Sequence, residues 1–476
     1  MNETTEKVGK TVTVDPGTDQ ANEVGLDPDQ QAALEALGRL AGWAGALRWD
    51  AVPENVRERL RLVLLDTFGV TVLGARLPER AALVDAWAPS PGPVPVFGTG
   101  VETTVEAAAW LNATALVSLE MDEGNKFAAG HPAAHGFPAV LALACALDTD
   151  GPATATALLV AYEVAARYGR ASRGAPGLHP HGNWGVTGAA AGCAKLLGLD
   201  AAGIAAAVDT ASGMPIAGPF SAALDGNAVR NEWMGASNVA GLAAARLAKA
   251  GIAHATGIAA HSLGGLLGTF DPVALVEQLG LRWDIALGYF KRHASCAFTH
   301  PSADATLALR EQLRQDGLAD SDITRVRVTT YSMAAALGRT RWSNRLAAMF
   351  SIPYVVTTAL LDGRVAPDGF DHSREDRFAA LAERVEVVSG TEFDARLPDA
   401  RGAAVELTLT DGRVLRHEVA NPVGDAAHEP FDHERTLVLL RDLLGDEAAL
   451  QRAVDCAAAL PEARGVRDVL RVLATV

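Results

Sequence analysis

The sequence predicts a mainly α protein: a large all-α helical domain built from both ends of the chain, with a smaller α+β domain inserted between them. Three observations lead there. Alanine and leucine dominate a chain of 476 residues in which only 5% are aromatic, a composition that favours helix. Apolar residues recur at helical spacing from residue 34 onward. Alternation of strand type is confined to Ile323–Thr329, Ala404–Thr410 and Val414–Val419, inside the stretch between the two helical ends.

Residues 1–28 carry Thr, Asp, Glu and Gly without periodicity and read as a disordered acidic leader. Structure is expected from Asp27-Pro28, with Leu34, Leu37, Leu40, Trp43 and Leu47 on one helical face. Pro53 opens a second helix that is too apolar to lie on the surface. Residues 84–104 are rich in Pro and Gly and read as a connection to a helix over 105–120. Further helices are expected over 137–147, 153–168, 184–197 and 201–211. Another starts near Arg230 and presents Ser237, Gly241 and Ala245 for close packing. These elements form the all-α domain, 29–270. The α+β domain, 271–420, joins the three strands with helices over 303–315, 352–361 and 375–384, and Asp411-Gly412 reads as a tight hairpin turn. Residues 421–476 turn helical again and return to the first domain.

The formal net charge of −16 argues against nucleic acid or an anionic membrane as partner. Four widely spaced cysteines suggest neither a disulfide framework nor a zinc knuckle. With no signal peptide and no apolar run of membrane-spanning length, a cytoplasmic protein is expected.

Four polar stretches interrupt apolar surroundings. The first, residues 118–135, contains Glu120, Asp122, Glu123, Asn125, Lys126, His131 and His135. Ionisable groups between buried helices are costly unless paired or used, so this loop is a site or a satisfied polar plug. Its histidines have the i,i+4 spacing of a metal pair, but the glutamate of HExxH is missing and Pro132 disturbs a helix start, so no metal is assigned. The second stretch places His179 and His181 ahead of a small-residue helix, as ligand groups or as turn residues. In the third, Arg230 lies just inside a helix start, where a cation opposes the dipole. It faces a ligand carboxylate or forms a salt bridge with Glu232 or another acid. The fourth, residues 289–302, combines Lys291, Arg292, His293, Cys296 and His300, with Cys296 a possible nucleophile or inert packing.

This order of motifs resembles the MmgE/PrpD family, which includes 2-methylcitrate dehydratase, cis-aconitate decarboxylase and iminodisuccinate epimerase. The likeness runs from about residue 35 to about 445. It is carried by LLDTFGVTVLG, the acidic loop with GHPAAHGFPAVLALA, GLHPHGNWGVTGAAAGCAKLLGLD, VRNEWMGASNVAGLAAARLAKAGI, YFKRHASCAFTHPSADA and FSIPYVVTTALLDG. The resemblance implies that the α+β domain is a lid, that the protein is a homodimer, and that it needs no cofactor to act on a small carboxylate. Matched motif by motif, the family's active-site histidines fall on His131 and His179, its lysine on Lys291 and a tyrosine on Tyr331. Two positions depart: Arg230 stands where a lysine is common, and Asp122-Glu123-Gly124-Asn125 replaces an Asp-Asp-Thr type motif.

The catalytic candidates are His131, His179, Lys291, Tyr331 and Asp122. The substrate-binding candidates are Arg230, His181, Asn125, Arg292 and His300. A histidine base with fixed cations to hold enolate charge fits a dehydratase-type lyase. The same groups would serve a decarboxylase or an epimerase of a small di- or tricarboxylate, and a non-catalytic ligand-binding homologue is the alternative from another class.

Overall fold

The computed structural model describes residues 25–370 and 376–475, and the leader assigned to residues 1–28 falls almost wholly outside them. Helix α1 (Pro28–Ala46) starts where expected. Asp27 accepts from the Gln30 backbone N–H at 2.8 Å while the Gln30 side chain accepts from the Asp27 N–H, a reciprocal cap on two orphan donors. Helix α2 (Glu54–Ala75) is buried along most of its length. The Pro/Gly-rich connection is more ordered than the sequence suggested: it holds α3 (Pro78–Trp87) and a hairpin of β1 (Pro91–Val96) with β2 (Val101–Thr103).

The body continues through α4 (Val105–Leu116), α5 (Pro132–Leu147), α6 (Gly151–Ala171), β3 (Ser172–Gly174), α7 (Val186–Leu196), α8 (Ala201–Ser212), the short α9 (Ser221–Leu224) and α10 (Val229–Lys249). Helices α5, α6, α7 and α10 pack around one another. Their spacing is set by small residues: a Cβ on Gly188 would meet the Ala161 carbonyl at 2.5 Å, and one on Gly241 would meet the Val186 carbonyl at 2.7 Å. Strand β4 (Gly268–Phe270) pairs with β3, and the helix Pro272–Val276 packs on α6.

The second half carries a four-stranded sheet in the order β6-β5-β7-β8. Its strands are β5 (Ile323–Thr330), β6 (Val385–Ser389), β7 (Ala403–Leu409) and β8 (Val414–Val419). β5 runs parallel to β6 and antiparallel to β7, which forms the expected hairpin with β8. The turn uses Gly412 at φ +86°, a conformation natural to glycine. Strand β6 was missed because Val385–Ser389 is short and leads directly out of a helix. Val326 and Val328 of β5 face inward while Arg325 and Arg327 face solvent, and the helix His300–Gln315 covers β7 and β8.

Helices also close the chain. The helices His433–Leu444 and Glu447–Ala459 pack on α2, and Arg467 donates to the carbonyls of Cys145 and Ala146 at the end of α5. The molecule is mainly α, and among the described residues no helix is long and apolar enough to cross a membrane.

Candidate active site

The loop from Val117 to His131 joins α4 to α5 and crosses the interior of the molecule. Glu120 takes a left-handed backbone, φ +52°, which costs a non-glycine residue free energy. The turn aims its carboxylate at two cations, Arg230 and Lys291 Nζ, the latter at 3.1 Å. Two residues on, Asp122 accepts from Lys291 Nζ at 3.2 Å and lies 3.0 Å from His131 Nδ1. All three partners of these carboxylates are at most 8% exposed.

His131 caps α5, and Pro132 is the first residue of that helix. This corrects the sequence reading of Pro132 as a disturbance, because proline at N1 loses no hydrogen bond and brings the right φ. His131 Nδ1 also lies 2.8 Å from the Glu123 carbonyl. Two acceptors at Nδ1 keep the proton there and leave Nε2 as the basic nitrogen. His135 is spent otherwise: its Nδ1 donates to the His131 carbonyl and its Nε2 accepts from the Gly182 N–H.

Arg230, second residue of α10, ion-pairs with Glu120 rather than Glu232, which instead binds Arg80 and Trp110. Its Nη2 lies 3.1 Å from His181 Nε2, and His181 Nδ1 is 3.3 Å from the Arg230 carbonyl. His179 presents Nε2 to Arg230 Nε at 3.3 Å and Nδ1 to the His181 N–H at 3.1 Å. A neutral imidazole has one acceptor nitrogen, so it satisfies only one of those donors.

The structure thus joins Asp122, His131, His179, His181, Arg230 and Lys291 in one contact network. The other four candidates lie outside it. Asn125 spends its amide on the Asp284 carbonyl and on the N–H groups of Phe127 and Ala128, which braces the loop. Arg292 pairs with Asp304, its side chain 43% exposed. His300 holds the Ser295 carbonyl at 3.2 Å and lines a small crevice with Tyr289, Arg401, Lys126 and Asp425. Tyr331 is buried against Phe298, and its hydroxyl has no hydrogen-bond partner among the described residues.

The chain matches the MmgE/PrpD N-terminal domain over residues 38–275 and the MmgE/PrpD C-terminal domain over residues 293–457. It belongs to the MmgE/PrpD family. Among curated relatives it is 26% identical to a cis-aconitate decarboxylase of Aspergillus terreus, the alignment covering 94% of this chain and 97% of that protein. It is also 26% identical to the cis-aconitate decarboxylase-like protein oryM of Aspergillus oryzae, over 81% of this chain and 86% of that one.

Electrostatics divides the residues of this MmgE/PrpD cluster by role. Burial works against ionisation of Asp122, but His131, Lys291 and Arg230 outweigh it and hold the carboxyl well below its usual range. Burial likewise opposes the charge on Lys291, and Asp122 and Glu120 reverse the effect, so the ammonium is held above its ordinary value. His179 and His181 are pushed well below the usual imidazole range by burial and then by Arg230, which makes both of them weak bases. Cys296 is pushed up to about 12 by burial, far from thiolate chemistry.

Several residues of the site escaped assignment from sequence. Glu120 and Glu123 belong to the same acidic run as Asp122, and that run was the available signal. Burial raises Glu123 to about 7; its carboxylate accepts from the Tyr162 hydroxyl at 2.5 Å and the Ala133 N–H at 3.2 Å. Asp66, the acid inside LLDTFG, accepts from the Glu123 N–H at 3.1 Å. Tyr289 opens the fourth polar stretch but was given no role there, and Arg401 carried no such signal; both emerge from the crevice they share.

Proposed function

We propose that this chain is a cofactor-independent lyase that removes a proton from the carbon next to a carboxylate of a small substrate. The observation that supports it best is Asp122, bonded on one side to His131 Nδ1 at 3.0 Å and on the other to Lys291 Nζ at 3.2 Å. A C–H beside a carboxylate is a weak acid, so its removal needs a positioned base and a fixed charge to hold the developing enolate. His131 Nε2 takes the proton, and Asp122 stabilises the imidazolium that results. Lys291 and Arg230 offset the negative charge gathering on the substrate.

In dehydration the C–H electron pair becomes the new C=C bond as the β C–O bond breaks, and the departing oxygen takes a proton from protonated His131 and leaves as water. The relatives named as decarboxylases favour a second reading on the same groups. There the C–C bond to a carboxylate breaks, carbon dioxide leaves, and the carbanion takes its proton from protonated His131. In both readings the sheet and its helices within residues 271–420 act as a lid. Glu120 and Lys291 are at most 2% exposed at the side chain, so a ligand reaches them only when that lid shifts.

Proton NMR in heavy water tests the proposal, with methylcitrate, cis-aconitate and iminodisuccinate as the panel. A dehydratase gives a new alkene; a decarboxylase gives loss of one carboxylate; an epimerase gives deuterium at a substrate carbon without net turnover. His131→Gln is expected to slow the reaction by about 10²–10⁴-fold. An unchanged rate in that variant would remove His131 as the base.

A further inference from the structure

The charges of the cluster cancel. Arg230 and Lys291 face Glu120 and Asp122, so neither cation is free to grip a substrate carboxylate while those pairs hold. In the adjoining crevice Lys126 is cancelled too, by Asp425 at 3.0 Å. His300, pushed well below its ordinary value by burial and by His293, is neutral.

Arg401 is different. It is 9% exposed, its Nη2 donates to the Lys126 carbonyl at 2.8 Å, and its Cζ lies 5.7 Å from the centre of the Phe298 ring. No carboxylate among the described residues pairs with it, and its Nε is buried with no partner. An uncompensated guanidinium out of water is expensive. A planar donor fork of this kind matches a carboxylate.

We propose that Arg401 anchors a carboxylate of the substrate, holding that end in the crevice while the reacting carbon reaches inward past Tyr289 to His131 and Lys291. The inference rests on the lyase reading and supplies the anchor it lacked. Tyr289 connects the two places. It lines the crevice, exchanges backbone hydrogen bonds with Gly124 at 3.1 and 2.7 Å, and stands two residues before Lys291. Its hydroxyl, raised to about 12 by burial, feels the charges of both Lys291 and Arg401.

The test compares an acid with its amide. Binding of 3-hydroxybutyrate and 3-hydroxybutyramide to the full chain is measured by calorimetry for wild type, Arg401→Gln and Arg401→Lys. Wild type is expected to prefer the acid by about 10–100-fold, the value of one charge-assisted pair. Arg401→Gln brings that ratio close to one with amide affinity unchanged, whereas a merely structural role would weaken both probes alike. Arg401→Lys keeps the charge without the fork and falls between; if Arg401→Gln does not fold, a wild-type ratio in Arg401→Lys overturns the proposal. Retained acid preference in Arg401→Gln, with its loss in Lys291→Met, overturns it as well. A wild type that binds neither probe removes the carboxylate reading and this inference together. A wild type that shows no acid preference, while His131→Gln still abolishes turnover of the panel, removes the inference alone.

Discussion

Glu163 and Arg167 are as deeply buried as Glu120, Asp122 and Lys291, yet the two groups are bonded in different ways. Glu163 accepts from the backbone N–H groups of Asp284 and Ile285, and Arg167 donates to the carbonyls of Leu275, Glu277 and Arg282. These side chains staple residues 275–285 to α6. Among the described residues, Lys291 by contrast bonds to two carboxylates, and Asp122 to Lys291 and His131. Side chain tied to backbone holds a fold; side chain tied to side chain beside a crevice can exchange partners with a ligand. Burial of charge therefore does not mark a site by itself, and what the charge is bonded to does.

The largest expected effect breaks the staple. Arg167→Met leaves Glu163 and three carbonyls without their cation and is expected to cost about 3–5 kcal/mol of stability, read by urea unfolding. Proton abstraction per folded molecule should be unchanged. Lys291→Met sharpens the contrast from the other side. Catalysis is expected to fall by about 10²–10³-fold, with a smaller loss of stability, because Arg230 still pairs with Glu120 and His131 with Asp122. Equal stability losses in the two variants would erase the distinction drawn here.

That distinction also explains what the sequence could convey. The helical body was legible because apolar periodicity and small residues such as Gly188 and Gly241 act locally, and the β7–β8 hairpin because Asp411-Gly412 states its own turn. The acidic loop stood out because Glu120, Asp122 and Glu123 are expensive in apolar company wherever they point. Pairing was not legible. Nothing local distinguishes Glu120, which faces Arg230, from Glu232 on the same helix as that arginine, and only the left-handed turn at Glu120 decides between them. Asn125 looked like a ligand group for the same reason, since an amide that braces a loop and one that binds a substrate are the same residue in a sequence. Arg401 is separated from the loop it touches by 275 positions, and no pattern within its own segment announces the contact.

Histidines stapled to backbone should behave like the structural cluster. His135, fixed between the His131 carbonyl and the Gly182 N–H, is pulled by burial to about 4 from an ordinary 6.5. The folded chain keeps it neutral while the unfolded chain takes up a proton below 6.5. Its contribution is therefore complete above that pH and is lost as pH falls toward 4. In this window it adds a slope of about 1.4 kcal/mol per pH unit, which His135→Asn should remove from the pH dependence of unfolding. Glu123, raised to about 7, acts in the opposite sense, favouring the fold below about 4.5 and losing that contribution as pH rises through 7.

The smallest effect on stability is the most selective test of the comparison. A Cβ at Gly124 would lie 2.4 Å from the Tyr289 ring and hydroxyl, whereas one at Gly192 would meet Val140 and the Ala157 carbonyl in the helix packing. Both are overpacking changes, of about 1–3 kcal/mol. At Gly124 the obstacle is a ring beside the crevice, which can give way by turning, so Gly124→Ala should sit at the low end, about 1 kcal/mol. The displaced ring then stands between Arg401 and Lys291, and a shift of this kind should slow turnover by at least about tenfold. Gly192→Ala pushes against backbone and should lower the melting temperature further while leaving turnover of the folded fraction intact. If Gly124→Ala instead loses stability and keeps its rate, Tyr289 is packing, and the crevice and the buried cluster do not serve one substrate.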